Sequence, residues 1–243
     1  MSKLIGIILA GGLGTRLLPL TTITNKHLLP VYDQPMIYYP IQSMVQAGIK
    51  DIVLVTGGDH AGEFMKLLGD GQDFGLNSLN YVYQKGNGGI AHALGMTRDI
   101  TRDRPLAVML GDNIFENSIK QYVDQFIKNP IGAYVALKRV NEPQRFGVAS
   151  VDGKRITNIV EKPKNPASDL AVTGLYFYDT NVFNIISKLK PSKRGELEIT
   201  DVNNTYIKNN QMSYGQVKGW WTDCGTVSSL FHASQLIKRQ RDK

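Results

Sequence analysis

Residues with obvious chemical use first appear where the opening apolar run stops. Gly11-Gly12-Leu13-Gly14-Thr15-Arg16 puts three glycines into four positions just ahead of an arginine. A backbone without Cβ atoms can approach a ligand closely and aim successive N–H groups at an anion, and the guanidinium adds a permanent charge. That is the composition of a phosphate-binding loop, although a purely structural turn shares it. It is not a P-loop, since the Gly-Lys-Ser/Thr ending is missing, and it does not meet the dinucleotide Gly-x-Gly-x-x-Gly spacing. Lys26 follows ten residues beyond Arg16; read alone, it is an exposed charge after a loop. Two carboxylates complete the set. Asp112 comes directly after the run Leu106 to Leu110 and Gly111, and Asp223 lies in Trp220-Trp221-Thr222-Asp223-Cys224-Gly225-Thr226. A carboxylate at the carboxyl edge of a buried strand is a hard oxygen ligand suited to Mg²⁺; the competing reading is an Asp that caps the next helix. The two aspartates can meet only through the fold.

The elements that must position these residues are readable from hydrophobic periodicity. Leu4 to Ala10, Ile52 to Thr56 and Leu106 to Leu110 are continuously apolar, as expected of strands covered on both faces of a parallel sheet. Helical patterns fall at Met36 to Ala47, His60 to Leu68 and Gly89 to Thr97, with Gly69-Asp70-Gly71 as one stop signal. Alternating strands and helices predict an α/β, doubly wound, mostly parallel sheet with ligands at the carboxyl ends of its strands. After about residue 130 the pattern becomes strand-rich, at Ala133 to Val140, Gly147 to Val151, Arg155 to Val160 and Ala171 to Tyr178, and antiparallel pairing is expected. Asp152-Gly153 reads as a tight hairpin turn. A helix at Glu198 to Lys208, a strand at Ser213 to Val217 and a last helix from Thr226 complete the pattern. No linker or repeat interrupts it, so one domain over 1–243 is expected, with a nucleotide half over about 1–130 and a second half over about 131–243 that completes the pocket.

Composition narrows the function classes. The 243 residues are 42% hydrophobic and 20% charged, which excludes disorder, collagen and coiled coil. Met1-Ser2-Lys3 leads straight into a strand-like run, no apolar stretch reaches the ~20 residues needed to cross a bilayer, and a cytoplasmic protein without a membrane partner is expected. The single cysteine, Cys224, excludes an intramolecular disulfide or a cysteine-based zinc site. The net charge of +7 invites a nucleic-acid reading, but much of it sits in the tail Lys238 to Lys243, and no basic stripe with interleaved aromatics appears. His27, His60, His92 and His232 share no metal-ligand or triad spacing.

Taken together, Gly-Gly-x-Gly-Thr-Arg-Leu-x-Pro-Leu-Thr from Gly11 and Asn25-Lys26-His27-Leu28-Leu29-Pro30-Val31-Tyr32-Asp33-x-Pro35-Met36-Ile37-Tyr38-Tyr39-Pro40 resemble the signature of the sugar-1-phosphate nucleotidylyltransferases. Within that family the chain looks most like the members that make dTDP-glucose. The likeness continues through Gly111-Asp112-Asn113-Ile114-Phe115, Arg145-Phe146-Gly147-Val148, Glu161-Lys162-Pro163, Ala171-Val172-Thr173-Gly174 and Arg194 to Asp201.

The resemblance implies Mg²⁺ on Asp112 and Asp223. It implies catalytic charge from Arg16 and Lys26, and nucleotide contacts at Leu9, Gly11, Gly12, Gly14, Thr15, Arg16, Gln84, Gly89, Asp112 and Asn113. The sugar phosphate would meet Gly147, Glu161, Lys162, Val172 and Arg194. The implied reaction joins dTTP and glucose 1-phosphate to give dTDP-glucose and pyrophosphate, in a homotetramer that serves nucleotide-sugar and polysaccharide synthesis on the dTDP-rhamnose route. A UTP-using uridylyltransferase would carry nearly the same sites. A non-catalytic nucleotide-sugar-binding regulator is a further alternative, which the presence of both carboxylates, Arg16 and Lys26 argues against. The chain departs from the family pattern at Lys85-Gly86-Asn87-Gly88, at His92 where Gln is usual, at Phe146 where Tyr is frequent, and at Cys224, read as a packing substitution.

Overall fold

The computed structural model describes residues 4–130 and 132–242. Met1-Ser2-Lys3 ahead of the first strand, Ile131 at the expected boundary of the halves, and Lys243 of the basic tail lie outside the described residues. The strands are β1 (Ile5–Ala10), β2 (Pro30–Val31), β3 (Gln34–Pro35), β4 (Asp51–Gly57), β5 (Ser78–Gln84), β6 (Leu106–Leu110), β7 (Asn113–Phe115), β8 (Ala133–Arg139), β9 (Gly147–Asp152), β10 (Arg155–Glu161), β11 (Leu170–Tyr178), β12 (Met212–Gln216) and β13 (Trp221–Asp223). The helices are α1 (Tyr38–Gln46), α2 (Ala61–Leu68), α3 (Ile90–Gly95), α4 (Arg98–Thr101), α5 (Lys120–Lys128), α6 (Val182–Ile186), α7 (Ile199–Lys208) and α8 (Val227–Arg241).

The central sheet runs β10-β9-β11-β6-β1-β4-β5, with β8 also paired to β11 and β12 to β8. Strands β6, β1, β4 and β5 are parallel, so their carboxyl ends share one edge; β11 joins antiparallel beside β6. Every residue of β1 and of β11 is buried, which requires cover on both faces of the sheet and accounts for their unbroken apolar runs. The alternation of β1 divides the core. Ile5, Ile7 and Leu9 face α3, α6 and α7, whereas Ile8 and Ala10 face α1, α2 and α5. A third, smaller cluster packs Ile114 and Cys224 against Tyr39 of α1 and Ala233 and Ile237 of α8, clamping the two-stranded β7·β13 ribbon. Helix α8 starts at a reciprocal cap between Thr226 and Ser229.

The α/β architecture is the expected one, with local corrections. The hairpin register pairs Arg155 with Asp152, so the two turn residues are Gly153 and Lys154, one position later than expected. Gly153 takes φ +57°, the positive value that a glycine supplies at the first central position of such a turn. The helix expected over Gly89 to Thr97 stops at Gly95 and resumes as α4. Helices α5 and α6 and the β7·β13 ribbon complete the fold. Among the described residues no helix is long and apolar enough to cross a membrane.

Candidate active site

A cleft of about 330 Å³ opens along the carboxyl edge of the parallel strands. From the N-terminal half of the chain it is lined by Leu9, Gly11, Gly12, Arg16, Lys26, Gln84, Gly89, Asp112 and Asn113, and from the C-terminal half by Gly147, Glu161, Lys162, Val172 and Asp223. Gly14, Thr15 and Arg194 are expected site residues that do not line it.

Within the loop, Gly14 is where both close approach and a positive φ require glycine. A Cβ on Gly12 would lie 3.3 Å from Lys26 Cε, and one on Gly14 would lie 2.9 Å from Lys26 Cβ, where φ is already +67°. The loop therefore wraps the Lys26 stem, and Thr21 Oγ1 ties it by donating to the Gly14 carbonyl at 2.9 Å. Lys26 Nζ ends 2.6 Å from Asp112 Oδ2.

The β7·β13 ribbon brings the two aspartates together. Asp223 pairs with Asn113 across the ladder, and the Cys224 N–H donates to the Asp112 carbonyl at 2.8 Å. Burial drives the Asp223 carboxyl up from its ordinary value, and the charge of Asp112 adds to this; Arg145, 3.2 Å from Asp223 Oδ1, and the Gly225 N–H oppose it. Burial pushes Asp112 the same way, but Lys26 and the Asn113 amide, donating to Oδ1 at 2.8 Å, outweigh it and hold the carboxyl well below the usual range. His27 beside them is lowered to about 3 by burial and by the Lys26 charge, so it carries no proton to spare at neutral pH.

Two buried carboxylates that repel one another form a donor set that a divalent cation relieves. No group of three His, Cys, Asp or Glu side chains able to hold a metal occurs among the described residues. Two carboxylates fit a hard cation that takes its remaining ligands from water and phosphate oxygens, the usual habit of Mg²⁺, and do not fit an all-protein cage.

Asn113 locks this arrangement. Its Oδ1 accepts from the Gly174 N–H at 3.0 Å and from Trp221 Nε1 at 2.7 Å. A register shift in the β11·β8 pairing between Val172 and Tyr176 accompanies this use of Gly174, and a Cβ there would lie 2.6 Å from Asn113 Cγ.

At the other end of the cleft, Glu161 Oε2 accepts from Thr200 Oγ1 at 2.9 Å, and Lys162 Nζ stands 3.4 Å from Glu161 Oε1. Lys162 is held at φ +42°, a conformation that non-glycine residues seldom adopt, by donating its N–H to the Phe146 carbonyl at 3.0 Å. Arg194 is engaged elsewhere, with Nη2 2.8 Å from Glu198 Oε2 and 3.4 Å from Glu196 Oε2. Arg145, Trp221, Tyr176 and Thr200 line the cleft and were not among the expected site residues. Arg145 opens the motif Arg145-Phe146-Gly147-Val148, so its position was visible; its contact with Asp223 was not.

The nucleotidyl transferase family profile matches residues 5–240. A glucose-1-phosphate thymidylyltransferase of Neisseria meningitidis is 44% identical over 96% of this chain and 82% of its own length. One from Xanthomonas campestris is 43% identical over 98% and 82%. A Bacillus anthracis protein described as a glucose-1-phosphate thymidylyltransferase, crystallised in complex with a sucrose, superposes with TM-score 0.92 at 50% identity, covering 96% of this chain and 94% of that one. A UDP-glucose pyrophosphorylase solved with UDP-glucose superposes with TM-score 0.84 at 28% identity, covering 98% and 99%.

Proposed function

Because the chain belongs to the nucleotidyl transferase family, we propose that it joins dTTP and glucose 1-phosphate to give dTDP-glucose and pyrophosphate. The observation that carries this reading is that Asp112, Asp223, Lys26 and the glycine loop line one cleft together with Glu161 and Lys162.

A phosphate oxygen of the sugar attacks the α-phosphorus, a new P–O bond forms, and the bond to the bridging oxygen breaks so that pyrophosphate leaves. The attacking monoester is already an anion, so no protein base is needed. Catalysis reduces to placement and charge. The amides of Gly11 and Gly12 and the charges of Arg16 and Lys26 face the triphosphate. Glu161 accepts from sugar hydroxyls, and Lys162 receives the sugar phosphate. Arg194 can join it only by exchanging Glu198 for the phosphate. Asp112 and Asp223 would hold a divalent cation, Mg²⁺ by donor chemistry, which when bound neutralises polyphosphate charge.

The test is incubation of the full chain with Mg²⁺, glucose 1-phosphate and each nucleoside triphosphate in turn, with the nucleotide sugar identified by mass. dTDP-glucose is the expected product. UDP-glucose as the faster product would favour the uridylyltransferase reading, which the UDP-glucose pyrophosphorylase likeness keeps in play: one methyl group read by apolar contact is worth only ~1 to 3 kcal/mol. No product with any triphosphate would favour the binding-only reading. We also infer a cytoplasmic homotetramer. Light scattering reads the assembly directly.

A further inference from the structure

Each of the two aspartates meets its own cation, and the two pairings differ in kind. Lys26 is enclosed, because the glycine loop wraps its stem and its pair with Asp112 is almost out of water. Arg145 reaches Asp223 with Nη2 3.2 Å from Oδ1, and its side chain is 34% exposed against 16% for the carboxylate. It does so from an aromatic ledge. The guanidinium lies over the Phe146 ring, 5.3 Å from its centroid, and Phe146 packs at 5.1 Å on Trp221, which shares β13 with Asp223. Nη1 stands 3.2 Å from Oε2 of Glu142, an exposed pair that water screens. The second oxygen of Asp223, Oδ2, accepts from the Gly225 N–H at 3.2 Å. Arg16 lies against Gly225, where a Cβ would be 3.0 Å from its Nη2, but it makes no ion pair among the described residues. Among those residues Arg145 is thus the one cation paired with Asp223.

We propose that Arg145 is the internal counter-ion of Asp223 and couples the entry of cation and nucleotide: it disfavours a divalent cation alone at Asp223, and it passes its guanidinium to a phosphate oxygen once nucleotide and cation are both present. Charge accounts for both halves. A guanidinium 3.2 Å from a ligand oxygen repels a second cation there, and a bare cation offers Arg145 no other partner. A polyphosphate supplies acceptor oxygens that the planar N–H fork matches. Arg145 lines the cleft and is free to make this exchange, since its far partner Glu142 is exposed; Lys26, wrapped by the loop, is not. Two ligands that each relieve the other's cost at a shared group bind cooperatively, and the coupling is reciprocal. The inference rests on the reading that Asp112 and Asp223 hold the cation of nucleotidyl transfer.

Two titrations of the full chain test it. Mn²⁺ is added alone and followed by the paramagnetic resonance of the free ion, and dTTP is added with Mg²⁺ and followed by calorimetry without sugar phosphate. R145Q is expected to bind Mn²⁺ alone about tenfold more tightly than the wild type and dTTP with Mg²⁺ about tenfold more weakly, with near-UV circular dichroism unchanged. A residue that only props Asp223 in place would weaken both. The gain in Mn²⁺ affinity should vanish when Asp223→Asn is added to R145Q. R145M keeps an apolar stem over Phe146 and carries the test if R145Q fails to fold. Mn²⁺ affinity in the variant at or below that of the wild type, a gain that survives Asp223→Asn, or unchanged affinity for dTTP would overturn the role of Arg145 alone. A wild type that binds no dTTP with Mg²⁺ would overturn the proposed function together with this inference.

Discussion

Lys26 Nζ sits 2.6 Å from Asp112 Oδ2, and the two side chains are only 14% and 13% exposed. An ion pair this far from water is strong in both directions. Intact, it holds Asp112 ionised against burial; broken, it leaves a carboxylate in a poorly solvated place.

Lys26→Ala is expected to lower turnover by at least about a hundredfold, because a fixed charge facing the polyphosphate is lost. It should also destabilise the protein by about 3 kcal/mol, since Asp112 then lies buried without its partner. Asp112→Asn removes the same pair from the other side and should cut turnover as severely. The Asn side chain retains an acceptor for the Asn113 amide, so the fold should survive. Pyrophosphate release and urea unfolding read the two effects separately, and near-wild-type turnover in either variant would remove that residue from the mechanism.

Asp223→Asn should raise the Mg²⁺ concentration needed for half-maximal turnover while removing a carboxylate that burial, and then repulsion from Asp112, keep above its ordinary value. The metal-free variant is thus expected to be at least as stable as the wild type, though less active. Chelation should abolish nucleotide-sugar formation in the wild type and added Mg²⁺ restore it. Unchanged Mg²⁺ dependence in the variant would mean that Asp223 is not a ligand.

Asn113 makes three side-chain bonds, to Asp112, Gly174 and Trp221, and is 2% exposed. Asn113→Ala leaves the Gly174 N–H and the Trp221 indole N–H without their acceptor, which should cost about 2 to 4 kcal/mol in chemical denaturation. Part of that loss reaches the chemistry, because the β7·β13 ribbon is what sets Asp223 beside Asp112. A loss below 1 kcal/mol would show that the ribbon is held by its apolar clamp alone.

The parts of this design that could be read in advance are local. The apolar runs of β1, β4 and β6 and the glycines following β1 lie contiguously in sequence, and each announces its own geometry. The meeting of Asp112 with Asp223 depends on two three-residue strands more than a hundred positions apart, too short to show any period. Helix α5 buries only Tyr122, Val123 and Phe126, a narrow stripe that periodicity does not separate from a loop. Arg194 was expected at the sugar phosphate from its motif, yet the same motif supplies Glu196 and Glu198, and their carboxylates reach the guanidinium first. Placing Arg145 needed the third dimension, since only the fold sets it against Asp223.

His27 offers a pH test of the site's packing. Its pKa falls from the ordinary 6.5 to about 3 because it is buried and stands beside the Lys26 charge. The unfolded chain therefore binds a proton that the folded chain refuses throughout the window between those values. Stability is complete above about pH 6.5 and declines as the pH falls toward 3, and this one group should account for about 3 kcal/mol of the loss between pH 7 and pH 4. His27→Gln keeps a hydrogen-bonding side chain without the titration, so its stability should decline less steeply on acidification. Urea midpoints of the two proteins across that range decide it: parallel curves would mean that His27 gains its proton without opening the core, and the packing argument around Lys26 and Asp112 would then fail with it.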